Sequence, residues 1–292
     1  MLPGIYNNLD IKVYHADQAI SSTGINLILD CPARFHYERV QKYLELDENE
    51  IIKQEEKYKL GRAVHMLVLE PDKFNNTFYC MKEYVNLTTK AGKEIYADAQ
   101  KEAKGRTILR VGEWEHIKTM TDEVLKHSVW KSFNNIFIEG SIGYVEHSIF
   151  WGNSNNQASL KARPDIFNDA LIIDLKTTDS IKNFERSIHS YGYYRQAAMQ
   201  IDGLIQSDKI KRNFGFFVVE SKAPYLTACF KLDNESIEQG RREYLEAAAL
   251  YQQCLKHNEW PGYSDRWQLA SLPRWAITDN DLNLEPRLAM AI

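Results

Sequence analysis

The segment "LKARPDIFNDALIIDLKTT", residues 160–178, is apolar enough to be buried, yet it carries Asp165, Asp174 and Lys176. A carboxylate taken out of water without a partner costs several kcal/mol, so ion pairing or a bound cation has to offset it. Asn168-Asp169 is a favoured two-residue hairpin turn. A turn there predicts that residue 167 faces 170 and residue 163 faces 174. Side-chain alternation then puts Arg163, Asp165, Asp174 and Lys176 on one face. Leu171, Ile173 and Leu175 take the other, where a helix can cover them. In this register Asp165 is a diagonal neighbour of Asp174, roughly 7–8 Å away between Cα atoms. A slip of one residue would send the two carboxylates to opposite faces.

Two carboxylates so placed can share a divalent cation. Oxygen donors with open positions suit Mg²⁺, with Mn²⁺ as a substitute, better than zinc. Such an ion polarises a phosphoryl oxygen and acidifies a bound water. Lys176 would project beside it, to orient or deprotonate the attacking water or to stabilise a pentavalent phosphorane. The same spacing also suits a structural network in which Arg163 and Lys176 neutralise the two aspartates.

The rest of the chain reads as an ordinary globular protein. It has 292 residues, 44% hydrophobic and 26% charged, which is within reach of one large α/β domain. No apolar run is long enough to span a membrane, and "MLPGIYNNLD" lacks the pattern of a secretory signal. Cys31, Cys80, Cys229 and Cys254 are scattered, which argues against a zinc ribbon or a disulfide framework and for reduced thiols in the cytoplasm. The net charge of −4 does not announce a nucleic-acid binder. Residues 81–110 hold seven Lys/Arg against four acids, which reads as a basic rim or, more simply, a solvated helix surface.

"AISSTGINLILDCPARFHYERV" (19–40) reads as a helix capped by Ser21, Ser22 or Thr23, with Pro32 ending it or starting another. The acidic residues 45–56 read as an exposed loop, and 58–71 as a buried helix stopped by Pro71. Long helical patterns fill 92–130. Residues 141–152, 158–167 and 170–178 read as three consecutive strands. A helix at about 183–206, a hairpin (213–221 and 225–232) and a helix over 233–257 follow. The order implies a mixed β-sheet flanked by α-helices, an α/β fold.

"RPD" followed by "DLKTT" resembles the PD-(D/E)XK nuclease motif, with Asp174 where many members have Glu. The surrounding segments "GRAVHMLVLEPDKF" (61–74), "VEHSIFW" (145–151), "YYRQAAMQIDG" (193–203) and "EWPGYSDRWQLASLPRWA" (259–276) resemble the RecE-type recombination exonucleases (exodeoxyribonuclease VIII). The first helix is similar to that of the wider RecB-like nuclease group. The resemblance covers nearly the whole chain and implies a restriction-endonuclease-like core at about 136–235. A helical part (about 1–135) precedes it, and a helix and tail (about 236–292) follow.

The resemblance implies that His65, otherwise readable as a core residue, joins Asp165 and Asp174 as a metal ligand, with the Leu175 carbonyl completing the shell. Lys176 maps to the catalytic lysine. Gln196 maps to a glutamine that orients a catalytic group or contacts DNA. Where relatives carry Tyr four residues later, this chain has Gln200. Relatives with an iron–sulfur cluster use three cysteines near the C-terminus, which this chain lacks. Glu146 is either a residue facing the metal or an exposed strand residue. Arg34, Arg163, Thr177 and Arg195 are candidates for phosphate contacts. Leu272, Pro273, Arg274 and Trp275 look like a tail that docks on the body or on a neighbouring subunit.

The implied activity is a Mg²⁺-dependent 5′→3′ exonuclease that digests one strand from duplex DNA ends and leaves 3′ tails for recombination. The implied assembly is a ring-shaped homo-oligomer, a tetramer, and the implied partner a single-strand annealing protein. The alternatives are a nicking or structure-specific endonuclease on the same core, or a catalytically silent DNA-binding scaffold.

Overall fold

A computed structural model describes residues 1–41, 48–138, 143–152, 159–264 and 266–274. Strand β1 (Gly4–Tyr6) leads into α1 (Ile11–Ala16), α2 (Ser22–Asp30), α3 (Pro32–His36), α4 (Glu48–Leu69) and α5 (Pro71–Thr77). A parallel pair, β2 (Phe78–Cys80) and β3 (Thr107–Leu109), brackets α6 (Lys90–Ala103). Helices α7 (Val111–Lys126) and α8 (Ser128–Ile138) follow, then β4 (Tyr144–Val145), β5 (Ser148–Trp151), β6 (Leu160–Ala162), β7 (Ile166–Phe167) and β8 (Leu171–Thr178). Helices α9 (Phe184–Ser190) and α10 (Tyr193–Asp208), strands β9 (Asn213–Glu220) and β10 (Thr227–Lys231), and α11 (Asn234–His257) complete the order. Among the described residues no helix is long and apolar enough to cross a membrane.

The main sheet has the order β10-β9-β8-β7-β4. Only β8 and β9 run parallel, because α9 and α10 form the crossover between them. This is the expected mixed sheet. Both faces are covered. Ile173 and Leu175 of β8 pack with Phe217 and Val219 of β9 against Ala63 and Val64 of α4 and Ile117 and Met120 of α7. Ile172, Phe214, Phe216 and Val218 pack against Ala197, Ala198 and Ile201 of α10 and Ala247 of α11. The odd-numbered side chains of β8 therefore meet a helix, as alternation requires.

Four local expectations are corrected. The hairpin turn lies one residue later than expected. The Asn168 side chain accepts the amides of Ala170 and Leu171, both at 2.9 Å, and its own amide donates to the Leu171 carbonyl at 3.0 Å. The loop is therefore Asp169-Ala170, with Ile166 paired to Ile173 and Phe167 to Ile172. The pairing moves by two positions, so every side chain keeps its face. The ladder ends at Ile166 and Ile173, and Asp165, just beyond it, reaches β8 through the Leu175 amide.

The expected strands at 141–152 and 158–167 are each broken, into β4 and β5 and into β6 and β7. Strands β5 and β6 leave the main sheet and join β1 in a second sheet, ordered β1-β5-β6. Glu146 marks the first break with a left-handed φ of 52°. Pro164, which has no amide hydrogen to give a ladder, marks the second. The acidic stretch from residue 48 onward is the start of α4, not a loop, because Glu, Gln, Lys and Ile continue a helix well and acidity alone does not distinguish loop from exposed helix; residues 45–47 lie outside the described ones. The helix expected at 183–206 is interrupted at Gly192, which has φ 67°.

At α2, Ser21 takes the N-cap position without a side-chain capping bond, and Pro32 opens α3. Leu272, Pro273 and Arg274 are exposed, so this part of the tail does not dock on the body; Trp275 lies outside the described residues.

Helix α4 is tied to α7 by a buried lysine. Lys59 lies 2.8 Å from Glu113 Oε1, which also meets Arg110 Nη2 at 2.9 Å. Burial alone would raise the Glu113 carboxyl, but the Arg110 and Lys59 hydrogen bonds outweigh it and hold it at about 2. A depressed carboxylate adds stability that is complete above the unfolded pKa and is lost as pH falls through the folded one. Glu113→Gln should therefore lower stability at pH 7 by about 1–2 kcal/mol after solvent screening. The difference from wild type should vanish between about pH 4.5 and pH 2, as read by urea unfolding at each pH.

Candidate active site

The breaks after β4 and before β7 form a corner beside β8, and α4 crosses it. Four elements thus bring side chains to one cleft of about 950 Å³, lined among others by Arg62, His65, Glu146, Arg163, Lys176 and Tyr193.

His65 stands near the C-terminal end of α4, anchored by the fully buried Ala63 and Val64 before it. Its Nδ1 lies 3.4 Å from Asp165 Oδ2. Burial, and then the Lys176 charge, push the imidazole below its ordinary range, so it is neutral and able to ligate a metal. Asp165 Oδ2 accepts the Leu175 amide at 2.7 Å. The Leu175 backbone also acts on the imidazole and slightly counters its downward shift. Burial and the neighbouring Asp174 raise the Asp165 carboxyl well above the usual range.

Glu146 donates its backbone amide to the Asp165 carbonyl at 2.9 Å. Arg163 Nε donates to Glu146 Oε2 at 2.7 Å. Burial and Asp165 lift the Glu146 carboxyl to about 7 despite that arginine. One ligand atom from each of His65, Glu146 and Asp165 lies within 4.8 Å of the others.

Asp174 is fully buried on β8. Its Oδ1 accepts from Gln196 Nε2 at 2.6 Å, and its Oδ2 lies 2.5 Å from Lys176 Nζ. Lys176 also sits 3.4 Å from Gln196 Oε1 and 4.5 Å above the centre of the Tyr193 ring. Burial opposes the lysine charge, but Asp174 and Asp165 outweigh it and raise the pKa above the ordinary lysine value. Lys176 is thus an ammonium, suited to stabilising negative charge rather than to taking a proton.

The trio expected from the sequence was His65, Asp165 and Asp174. The trio that converges is His65, Glu146 and Asp165, while Asp174 turns its oxygens to Lys176 and Gln196. The reason is local. Lys176 follows Asp174 on the same strand face, and Gln196 reaches it from α10.

The four candidate phosphate contacts divide. Thr177 and Arg163 line the cleft. Arg163 is held by Glu146, the Leu9 carbonyl at 3.1 Å and Ser148 at 3.4 Å. Arg195 is committed to Asn26, Tyr194 and Glu243, a network joining α2, α10 and α11. Arg34 pairs with Asp30 and Tyr263 and is not part of the cleft wall. Gln200 is buried, and its Oε1 has no hydrogen-bond partner among the described residues. In the basic run, Lys101 pairs with Asp98, and Arg106 donates to the carbonyls of Asn75, Glu102 and Ala103, as a solvated surface would.

The sequence left Glu146 between two readings and passed over Tyr193. The acid at the head of the apolar run "SIFW", in "YVEHSIFW", was the one signal for the first. For the second, Tyr193 lies three residues before Gln196, which places both on one helix face.

The donor set fits a divalent cation. Burial first, and then an excess of neighbouring carboxylate charge, drives Asp165 and Glu146 toward protonation, and a neutral imidazole stands beside them. A cation held between them would relieve that excess.

A family model described as "PDDEXK-like domain of unknown function (DUF3799)" matches residues 21–273. No curated protein matches the chain significantly. Among solved structures, the "Putative exonuclease" of Eubacterium rectale superposes with a TM-score of 0.58 at 11% identity, covering 95% of this chain and 98% of that one. The alkaline exonuclease LHK-Exo of Laribacter hongkongensis gives a TM-score of 0.29 at 14% identity, covering 60% of this chain and 87% of that one. At 11% identity the first likeness establishes a shared fold.

Proposed function

The chain belongs to the PDDEXK-like domain family, and from that premise we propose that it is a Mg²⁺-dependent deoxyribonuclease that digests duplex DNA from its ends. One observation carries the reading: His65, Glu146 and Asp165 converge beside a lysine ammonium at the wall of an open cleft. In this reading the three side chains hold the ion, with Mn²⁺ as a substitute, and Asp174 and the Leu175 carbonyl border it. A cation there supplies Lewis-acid activation of the scissile phosphate.

The protein's own groups do the rest. Lys176 places a positive charge where the phosphate gains negative charge in the transition state. Gln196 and Asp174 fix that lysine, and Arg163 fixes Glu146. Thr177 offers a hydroxyl to the DNA backbone. Arg195 and Arg34 would have to exchange protein partners to reach a phosphate.

The 5′→3′ direction, the 3′ tail, the ring-shaped homo-oligomer and the single-strand annealing partner rest on the motif resemblance to RecE-type exonucleases. The test is digestion of end-labelled linear duplex with and without Mg²⁺, comparing 5′-phosphorylated with 5′-hydroxyl ends and adding a covalently closed circle. The linear duplex should shorten from its 5′ ends only with the ion, and the circle should persist. Cleavage of the circle would mean an endonuclease. No cleavage together with no Mn²⁺ binding by calorimetry would mean a DNA-binding scaffold.

A further inference from the structure

A second cleft of about 500 Å³ opens beside the first and shares Gly61, Thr177 and Tyr193 with it. Its chemistry is different. The first cleft carries Arg62, Arg163 and Lys176, cations suited to phosphates. The second is walled by hydroxyls, the Asn183 amide and aromatic rings. Apart from its tyrosines, Asp179 is its one ionisable lining group among the described residues; it accepts from Ser221 Oγ at 2.8 Å and lies 3.8 Å from Lys222. A wall that is largely uncharged, aromatic and rich in hydrogen-bonding groups suits a nucleobase better than a phosphate.

At the mouth of this cleft, Tyr191 leaves a large aromatic side chain 62% exposed. Its backbone is fixed, since its carbonyl accepts from Asn26 Nδ2 at 2.9 Å. Its ring rests 5.5 Å from the Tyr193 ring, tilted by 37°, and the Tyr193 ring in turn carries Lys176 Nζ at 4.5 Å. A continuous aromatic path thus leads from solvent to the lysine.

We propose that Tyr191 is a stacking platform for one nucleobase of a single DNA strand whose neighbouring phosphate lies at Lys176, with Asn183 and Thr177 meeting the base and sugar edges. The inference rests on the nuclease reading and adds a binding subsite to it. Stacking on an aromatic side chain is tolerant of sequence, because every base has a π-face. Tyr191 therefore contributes affinity for bases as such, not for one base.

The test is fluorescence anisotropy of the full chain with two labelled oligonucleotides of equal length, an oligothymidylate and a chain of abasic sites. Ca²⁺ replaces Mg²⁺ to prevent turnover. Wild type should prefer the oligothymidylate by about tenfold, within the usual range for one stacked base. Tyr191→Ala should lose most of that preference while binding the abasic chain as wild type does, and Tyr191→Phe should keep it. A full preference in Tyr191→Ala overturns the proposal. Equal binding of both oligonucleotides by a wild type that cleaves duplex DNA overturns it and leaves the nuclease reading standing. A wild type that binds neither and cleaves nothing overturns both.

Discussion

Asp165→Asn should abolish DNA hydrolysis and weaken Mn²⁺ binding while leaving the metal-free protein as stable as wild type, or more so. The two effects have one cause. Asp165 is buried, lies beside Asp174, and is driven toward protonation. Its charge therefore costs stability at neutral pH unless a cation is present. Asparagine keeps an oxygen for the Leu175 amide, now 2.7 Å from Asp165 Oδ2, and removes the charge. A carboxyl held above its unfolded pKa makes the folded state less stable at neutral pH, and a neutral isostere removes that cost. Activity should fall at least about 1000-fold, since the ion's charge stabilisation goes with its ligand. Urea unfolding in EDTA and digestion of linear duplex measure the two effects. Loss of both activity and stability would make Asp165 a structural residue; retained activity would remove it from the site.

The second large effect has the opposite stability signature. Lys176→Met should also abolish hydrolysis, by about 100-fold or more, because the charge facing the phosphate is lost. Here the folded protein suffers. Asp174 is fully buried, and Lys176, 2.5 Å from its Oδ2, is its one cationic partner among the described ion pairs. Breaking a buried pair from one side typically costs about 3–5 kcal/mol. Mn²⁺ binding, however, should persist or tighten, since an ammonium next to the cation site is gone. The pattern to look for is a protein that is less stable, inactive and still able to bind metal. If Lys176→Met lost metal binding instead, the lysine would be holding the site together rather than acting on the substrate.

These opposed signatures depend on details that the sequence shows unevenly. That Asp165, Asp174 and Lys176 share a face follows from strand alternation alone, and it survives even though the turn moved. The shift came from Asn168, whose side chain closes the loop one residue later than an Asn-Asp pair suggests. The amphipathic strand β8 and the helix bearing His65 were equally legible, because Ile173, Leu175, Ala63 and Val64 form a simple apolar contact.

The switch of β5 and β6 into a second sheet was not legible, since it depends on pairing with β1, more than 140 residues away in the chain. Pro164 was the local sign of it. Because that switch builds the corner, Glu146's place in the site was hidden as well. The tie between Asp174 and Gln196 could be guessed from the family motif, but not its consequence, which is that Asp174 faces Lys176 rather than the converging trio.

The most direct measurement is crystallographic: soak crystals with Mn²⁺ and locate the ion by anomalous scattering. The peak should lie within coordination distance of His65, Glu146 and Asp165 together. A peak that Asp165 and Asp174 share without His65 and Glu146, or none in the cleft at all, would contradict this assignment.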